Sequence, residues 1–328
     1  MFNYGNLFKI SLFGESHGET IGVLIEGVKP GIKLSEEDFY SDLERRKPNQ
    51  KGTTPRKESD EPMIKSGVFN GYTTGAPILI EFDNSNINDK DYSNLLDHPR
   101  PSHVDFTAKN KYKGFNDYRG GGFFSGRLTL GLVCAGVIAK KITGFKFESK
   151  IINLHGQTDE TKFDEELLKA INLQDSIGGI IRTKWVNPIK NLGEPYFDSV
   201  ESKISSLLFS VGGVKGVSFG EGLKAPLMYG SEFNDLIIDS NGKTKTNNNG
   251  GINGGITNGN EVFLDVLVRP TASIAKTQDT FNFKTNKIES LKIEGRHDKA
   301  IILRMPVVIE ACMAIALCDL YLQNKAYE

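Results

Sequence analysis

Ser125-Gly-Arg-Leu-Thr-Leu-Gly-Leu-Val-Cys-Ala-Gly-Val-Ile-Ala-Lys-Lys-Ile142 is apolar through most of its length. It is too long for an ordinary strand and predicts a buried helix over 125–142. A second apolar run, 305–323, carries Pro306 near its start and predicts another buried helix. Around these lie shorter strand-like runs at 7–13, 21–27, 78–82, 214–219 and 262–268. Ser35-Glu-Glu-Asp38 resembles a capping box, with Phe39 and Leu43 as an apolar stripe behind it, and 199–210 is a further helix. Helices and strands alternate irregularly and no composition break marks a linker. The expected fold class is therefore α+β, a layered single domain spanning 1–328.

The chain has 328 residues, 38 % hydrophobic and 25 % charged, with a net charge of −1. Near neutrality argues against a nucleic-acid partner, so any anion site must be a local gathering of cations. The start, Met1-Phe-Asn-Tyr-Gly, lacks a signal-peptide pattern, and the run 305–322 contains Glu310 and Asp319, which argues against a membrane span. Cys134, Cys312 and Cys318 are odd in number and sit in apolar segments, as expected of reduced, buried thiols in a cytoplasmic protein. No zinc-like spacing is present, so no metal site is expected.

Just before the first apolar helix stand Arg100-Pro-Ser-His103-Val-Asp105-Phe and Tyr118-Arg119-Gly120-Gly121-Gly122. Consecutive glycines let a backbone approach a ligand, arginines bind carboxylate and phosphate, and histidine moves protons near neutral pH. His103 and Asp105 would share one face of an extended segment. The helix that follows would aim its first N–H groups back at the glycines, a ready anion site. His17, in Gly14-Glu-Ser-His-Gly18 between two strands, is either a surface histidine or a proton donor held at a strand end. The basic run Arg45, Arg46, Lys47, Lys51, Arg56, Lys57 suits either a solvated surface or a loop over an anionic ligand. Residues 247–260, rich in Gly and Asn, are by composition a linker, and would wall a ligand only if ordered. Gly295-Arg296-His297-Asp298 is either a surface turn or a second proton-handling cluster.

Taken in order, the chain resembles chorismate synthases. The resemblance rests on FGESHG at 13–18, RPSHVDF at 100–106, DYRGGG at 117–122, DSIGG at 175–179 and LGEPYFD at 192–198. It continues in SVGGVKGVSFGEG at 210–222, NNNGGINGGITNG at 247–259, RPTASI at 269–274 and GRHD at 295–298. Nine such pieces in sequence order are far more specific than any one of them.

The resemblance implies a β-α-β sandwich, a homotetramer, and the 1,4-elimination of phosphate from 5-enolpyruvylshikimate 3-phosphate to give chorismate with reduced FMN as cofactor. By motif position, His17, His103 and Asp298 would be catalytic. Arg46, Lys51, Arg100 and Arg127 would bind substrate. Ser125, Gly212, Gly213, Gly254, Arg269, Pro270, Thr271, Ala272, Ser273 and Arg296 would contact the flavin. The chain carries no separate reductase domain, which implies an external flavin reductase as partner rather than its own NAD(P)H reaction. One departure stands out: the usual Arg-Ser-Ser-Ala-Arg-Glu-Thr after the glycines is here Phe123-Phe-Ser-Gly-Arg-Leu-Thr129. Those phenylalanines are the ground for an alternative, a silent paralogue that only binds flavin or a phosphorylated ligand. A histidine-dependent phosphohydrolase is the third reading, without a metal cluster or phospho-histidine motif to support it.

Overall fold

The computed structural model describes residues 2–48, 52–53, 59–84, 95–293 and 297–327. The first part of the chain holds β1 (Asn3–Tyr4), β2 (Lys9–Gly14), β3 (Thr20–Glu26), α1 (Glu37–Arg46), β4 (Met63–Ile64), the two-residue strands β5 (Val68–Phe69) and β6 (Tyr72–Thr73), and β7 (Ile78–Asp83). An antiparallel sheet forms in the order β1-β2-β3-β7-β4. Alternation fixes its inner face: Ile21, Val23 and Ile25 of β3 pair with Phe82, Ile80 and Ile78 of β7, and all six are buried. At α1 only half of the expected capping box forms. The Asp38 carboxylate accepts the Ser35 N–H at 2.9 Å, while the helix has no side-chain cap in the other direction.

Next come α2 (Asp105–Lys111), α3 (Thr129–Thr143), β8 (Phe147–Leu154), α4 (Phe163–Asn172), β9 (Gly179–Trp185), α5 (Val200–Leu208), β10 (Val214–Phe219) and the one-turn α6 (Gly230–Phe233). The chain continues through β11 (Ile252–Asn253), β12 (Ile256–Thr257), β13 (Val262–Val268), β14 (Gln278–Asn282), β15 (Lys287–Leu291) and α7 (Pro306–Asn324). A second antiparallel sheet runs β10-β13-β9-β8. Its central strand β13 is buried along nearly its whole length, and even Asp265 is buried there, gripped by both arms of Arg182 at 2.7 and 2.8 Å.

Two apolar helices lie against these sheets. α3 packs on β2 and β3, α7 packs on β8 and β9, and the two pack on each other. Their crossing depends on Gly136, where a β-carbon would stand 2.5 Å from that of Ala311. Both helical regions are apolar and long enough to cross a bilayer by composition, but both are mostly buried inside this fold. One hydrophobic cluster runs from Phe8 to Leu320 and includes Cys134, Cys312 and Cys318. Burial pushes these thiols up, Cys312 to about 12, and none is in a disulfide.

The predicted first buried helix starts later than expected. Residues 126–128 form a separate tight turn, capped by the Ser125 hydroxyl accepting the Arg127 N–H at 3.3 Å, and α3 proper begins at Thr129. The segment 247–260 is an ordered hairpin, β11 with β12. Asp235 anchors its approach by accepting the N–H groups of Asn248 and Asn249 at 2.8 and 2.9 Å.

Candidate active site

Loops from both sheets and the starts of both long helices enclose a cavity of about 350 Å³. Thr129 at the start of α3 and Met305 and Val308 at the start of α7 line it. The positive ends of two helix dipoles therefore face one space, which favours anions.

The glycine triplet forms the wall between two histidines. Gly120, Gly121 and Gly122 have φ of 56°, 84° and 54°. A β-carbon on Gly120 would sit 2.5 Å from Nδ1 of His17, and one on Gly121 would sit 3.9 Å from Nε2 of His103. All three positions favour glycine by conformation, and at Gly120 and Gly122 there is no space for a side chain either. His17 sits in the β2–β3 turn, which is tied to the triplet by the Ser16 N–H donating to the Gly122 carbonyl at 3.1 Å. The triplet thus brings the rings of His17 and His103 to one cavity.

His103 and Asp105 meet, although not along an extended segment. Ser102 takes φ of 57°, Asp105 opens α2, and His103 Nδ1 lies 2.6 Å from Asp105 Oδ1. Arg100 clamps the same carboxylate at 2.8 and 2.7 Å and donates to Ser273 Oγ at 3.0 Å. Burial raises the Asp105 carboxyl, but hydrogen bonds from Arg100 and His103 outweigh it and hold it well below the usual carboxylate range. Burial pushes the His103 imidazole down. Asp105 opposes that shift, while the charges of Arg100 and Arg269 add to it.

Five arginines, Arg46, Arg100, Arg127, Arg269 and Arg304, line the cavity against Asp60 and Asp298. Four of them have fixed partners. Arg46 donates to Thr129 Oγ1 and the Gly126 carbonyl, both at 2.8 Å, and burial together with Arg304 pushes its pKa down to about 9. Arg127 donates to Asp60 at 2.8 Å and to Asn84 at 2.5 Å. Arg304 donates to Asp298 and to the Arg46 carbonyl, each at 3.1 Å. The Arg269 guanidinium has no hydrogen-bond partner among the described residues.

Sequence reasoning missed Asp60 and Arg304. Asp60 is buried, has φ of 50°, and lies within salt-bridge reach of both Arg127 (2.8 Å) and Arg46 (3.7 Å). No local pattern marks either residue, and their partners are distant in sequence.

Of the residues expected to contact flavin, Ser125, Gly212, Gly213, Arg269, Thr271, Ala272 and Ser273 line the cavity, while Pro270 does not. Gly212 has open space where a side chain would stand. Thr271 Oγ1 is buried with no hydrogen-bond partner among the described residues, as suits a group awaiting a ligand's polar atom. Gly254 is not brought to this cavity. Its hairpin packs on Ser199 and Val200 through Gly255, beside Gly193 and the Leu320 end of α7. That end is roughly 18 Å along the helix from Val308, which lines the cavity, at about 1.5 Å rise per residue. Lys51, Arg296 and, from the basic run, Arg56 and Lys57 lie outside the described residues. Phe124 lines the cavity beside Tyr112, at a ring separation of 6.1 Å, and Phe123 turns into an edge contact with Phe2. Among the described residues no group of three or more His, Cys, Asp or Glu is placed to hold a metal.

The sequence profile of chorismate synthases matches residues 8–322. The chain belongs to the chorismate synthase family. It is 52 % identical over 327 residues to the chorismate synthase of Chitinophaga pinensis, covering 99 % of this chain and 98 % of that one. It is 40 % identical over 367 residues to the chorismate synthase of Methanocaldococcus jannaschii, covering 99 % and 97 %. A crystal structure of chorismate synthase shares the fold, with a TM-score of 0.74 over 98 % of this chain and 93 % of that one, at 24 % identity. Chorismate synthases are enzymes of the lyase class, and a cavity lined by cations and histidines is the setting such an elimination from an anion needs.

Proposed function

We propose that this chain eliminates phosphate from 5-enolpyruvylshikimate 3-phosphate to give chorismate, with reduced FMN bound in the cavity. The convergence of His17, His103 and Asp298 on one space ringed by five arginines is the observation that carries this reading. A substrate with two carboxylates and a phosphate needs several cations, and desolvated arginines at fixed positions bind it without reorganising. Gly212, Gly213, Ser125, Arg269 and 271–273 would hold the flavin, and the unsatisfied Thr271 hydroxyl supports that assignment. Bound reduced flavin would supply the electron density that a weakly acidic C–H bond requires before it can break.

The chain's own residues bind, orient and move protons. Arg46, Arg127 and Arg269 bind the anionic groups. One of the two histidines donates to the departing phosphate oxygen while the other carries a second proton at the glycine wall. Asp298, held by Arg304 at 3.1 Å, is a carboxylate at the cavity edge suited to orienting a proton-bearing group. Arg100 acts on His103 through Asp105, which its Nε and Nη2 hold, and its place in the cavity lining leaves it a substrate contact as well.

The working unit we infer is a homotetramer of single-domain chains, each a β-α-β sandwich, in the cytoplasm and served by an external flavin reductase. The main core, which runs from Phe8 to Leu320, and the contacts of α3 and α7 with opposite sheets support the domain and layer assignments. Leu223, Leu227, Tyr229, Leu236, Ile237 and Ile238 are all exposed, as interface residues are in a lone subunit. Gly254, far from its own cavity, would meet a flavin only in a neighbouring subunit.

An anaerobic assay with photoreduced FMN tests this reading. Chorismate and free phosphate should appear in equal amounts, and His17→Ala or His103→Ala should lower turnover roughly 100-fold with folding intact. No product from the wild type, or full turnover by both variants, would overturn it.

A further inference from the structure

Asp105 is a buried carboxylate whose two oxygens receive four N–H groups. Oδ1 faces His103 Nδ1 at 2.6 Å and Arg100 Nη2 at 2.7 Å. Oδ2 accepts from Arg100 Nε at 2.8 Å and from the Arg100 backbone N–H at 3.1 Å. It opens α2, where an acidic side chain could simply face the helix end, but it folds back onto the loop that carries His103. An ionised carboxylate only accepts hydrogen bonds, so the proton on this side of the imidazole must belong to Nδ1. In the neutral ring the lone pair is then on Nε2. That atom faces the wall at Gly121, where the lack of a side chain leaves it open to the cavity.

We propose that Asp105 is a positioning residue: it fixes His103 as the Nδ1–H tautomer and presents Nε2 to the cavity as a proton acceptor, while Arg100 clamps the carboxylate in place. Arg100 has a second effect. Its side chain is 3 % exposed, so its charge acts on the pair with little screening by solvent. The charged groups acting on His103 are Asp105, Arg100 and Arg269, one anion against two cations. Burial first, and then these two cations, favour the neutral ring, which can accept a proton when an anionic ligand offsets Arg269. The inference extends the reading of His103 as a proton carrier and rests on it.

The wild-type protein tests this without any change to Asp105. Nitrogen-15 spectra of the histidine side chains near neutral pH, with His103 assigned by comparison with His103→Gln, should show hydrogen on Nδ1 and a bare Nε2. A bare Nδ1, or a doubly protonated ring, would sink the proposal even if Asp105 variants fail to fold. In Asp105→Asn the tautomer should shift and kcat should fall about 100-fold or more, with KM changed by less than about threefold. Asp105→Asn added to His103→Gln should cost nothing further, because one residue acts through the other. An unchanged kcat in Asp105→Asn, or two losses that multiply, would overturn it. If His103→Gln keeps full turnover, the functional reading of His103 fails. If His103→Gln is inactive while Asp105→Asn is normal, only this inference fails.

Discussion

Gly120 lies directly under the ring of His17: a β-carbon on it would stand 2.5 Å from the ring's Nδ1 and 2.8 Å from Ser16 Oγ. One residue's missing side chain therefore sets another's position. Gly120→Ala should displace His17 and strain a backbone at φ of 56°. We expect kcat to fall about 100-fold and stability to fall by about 1–2 kcal/mol, read by turnover and thermal melting. Normal turnover would show that His17 does not need its present position.

The arginines should separate into two kinds. The Arg269 guanidinium has no partner among the described residues, so Arg269→Ala should weaken anion binding about 10-fold or more while leaving Tm nearly unchanged. Arg46 is buried and holds Gly126 and Thr129, so Arg46→Ala should lower Tm by several degrees as well as weaken substrate binding. Calorimetric titration with substrate, beside melting curves, checks both. Equal Tm losses would contradict the division.

Asp319 is fully buried and accepts the N–H groups of Asn6, Leu7 and Phe8 at 2.7–3.0 Å. Asp319→Ala would leave three backbone donors without their acceptor. A loss of about 3 kcal/mol or more is expected from denaturant melts. A loss below about 1 kcal/mol would mean that water takes over these contacts.

Acid should destabilise the fold through His103. Its imidazole is held below the ordinary value, chiefly by burial, so below about pH 6.5 the unfolded chain binds the proton more readily than the folded one. The stability this gives is complete above that pH and is lost as pH falls through the folded value. Asp105 adds a separate loss only at lower pH, since its folded value is depressed beneath the normal carboxylate range. Melting temperature should therefore begin to drop as pH falls below about 6.5, and His103→Gln should flatten that drop. An unaltered slope in the variant would assign the effect elsewhere.

The strands at 214–219 and 262–268 were legible because branched apolar residues run between glycine and proline signals, and the structure sets their bounds at the same residues. The start of α3 was not legible. Leu128 and Thr129 look equally helical in sequence, but Ser125 caps a separate turn and Arg46, from another helix, takes the Gly126 carbonyl. The contact of His103 with Asp105 was anticipated from their spacing, yet it arises from a left-handed turn at Ser102 that no local pattern marks. By composition residues 247–260 suggest a linker, because glycine and asparagine say nothing of distant anchors such as Asp235; only the resemblance implied an ordered segment, and the hairpin it forms stands away from the cavity. Asp60 and Arg304 were invisible because a lone charge acquires its role only from partners such as Arg127 and Asp298.

The tie between Phe8 and Asp319 spans 311 positions of sequence. A ribosome adding about 5–20 residues per second would take roughly 15–60 s to cover that distance. Throughout that interval the earliest strands must wait without the helix that anchors them, their apolar face open to nascent neighbours. Assembly of this enzyme is thus set to wait for α7, and its dependence on holding chaperones should be greatest before α7 leaves the exit tunnel.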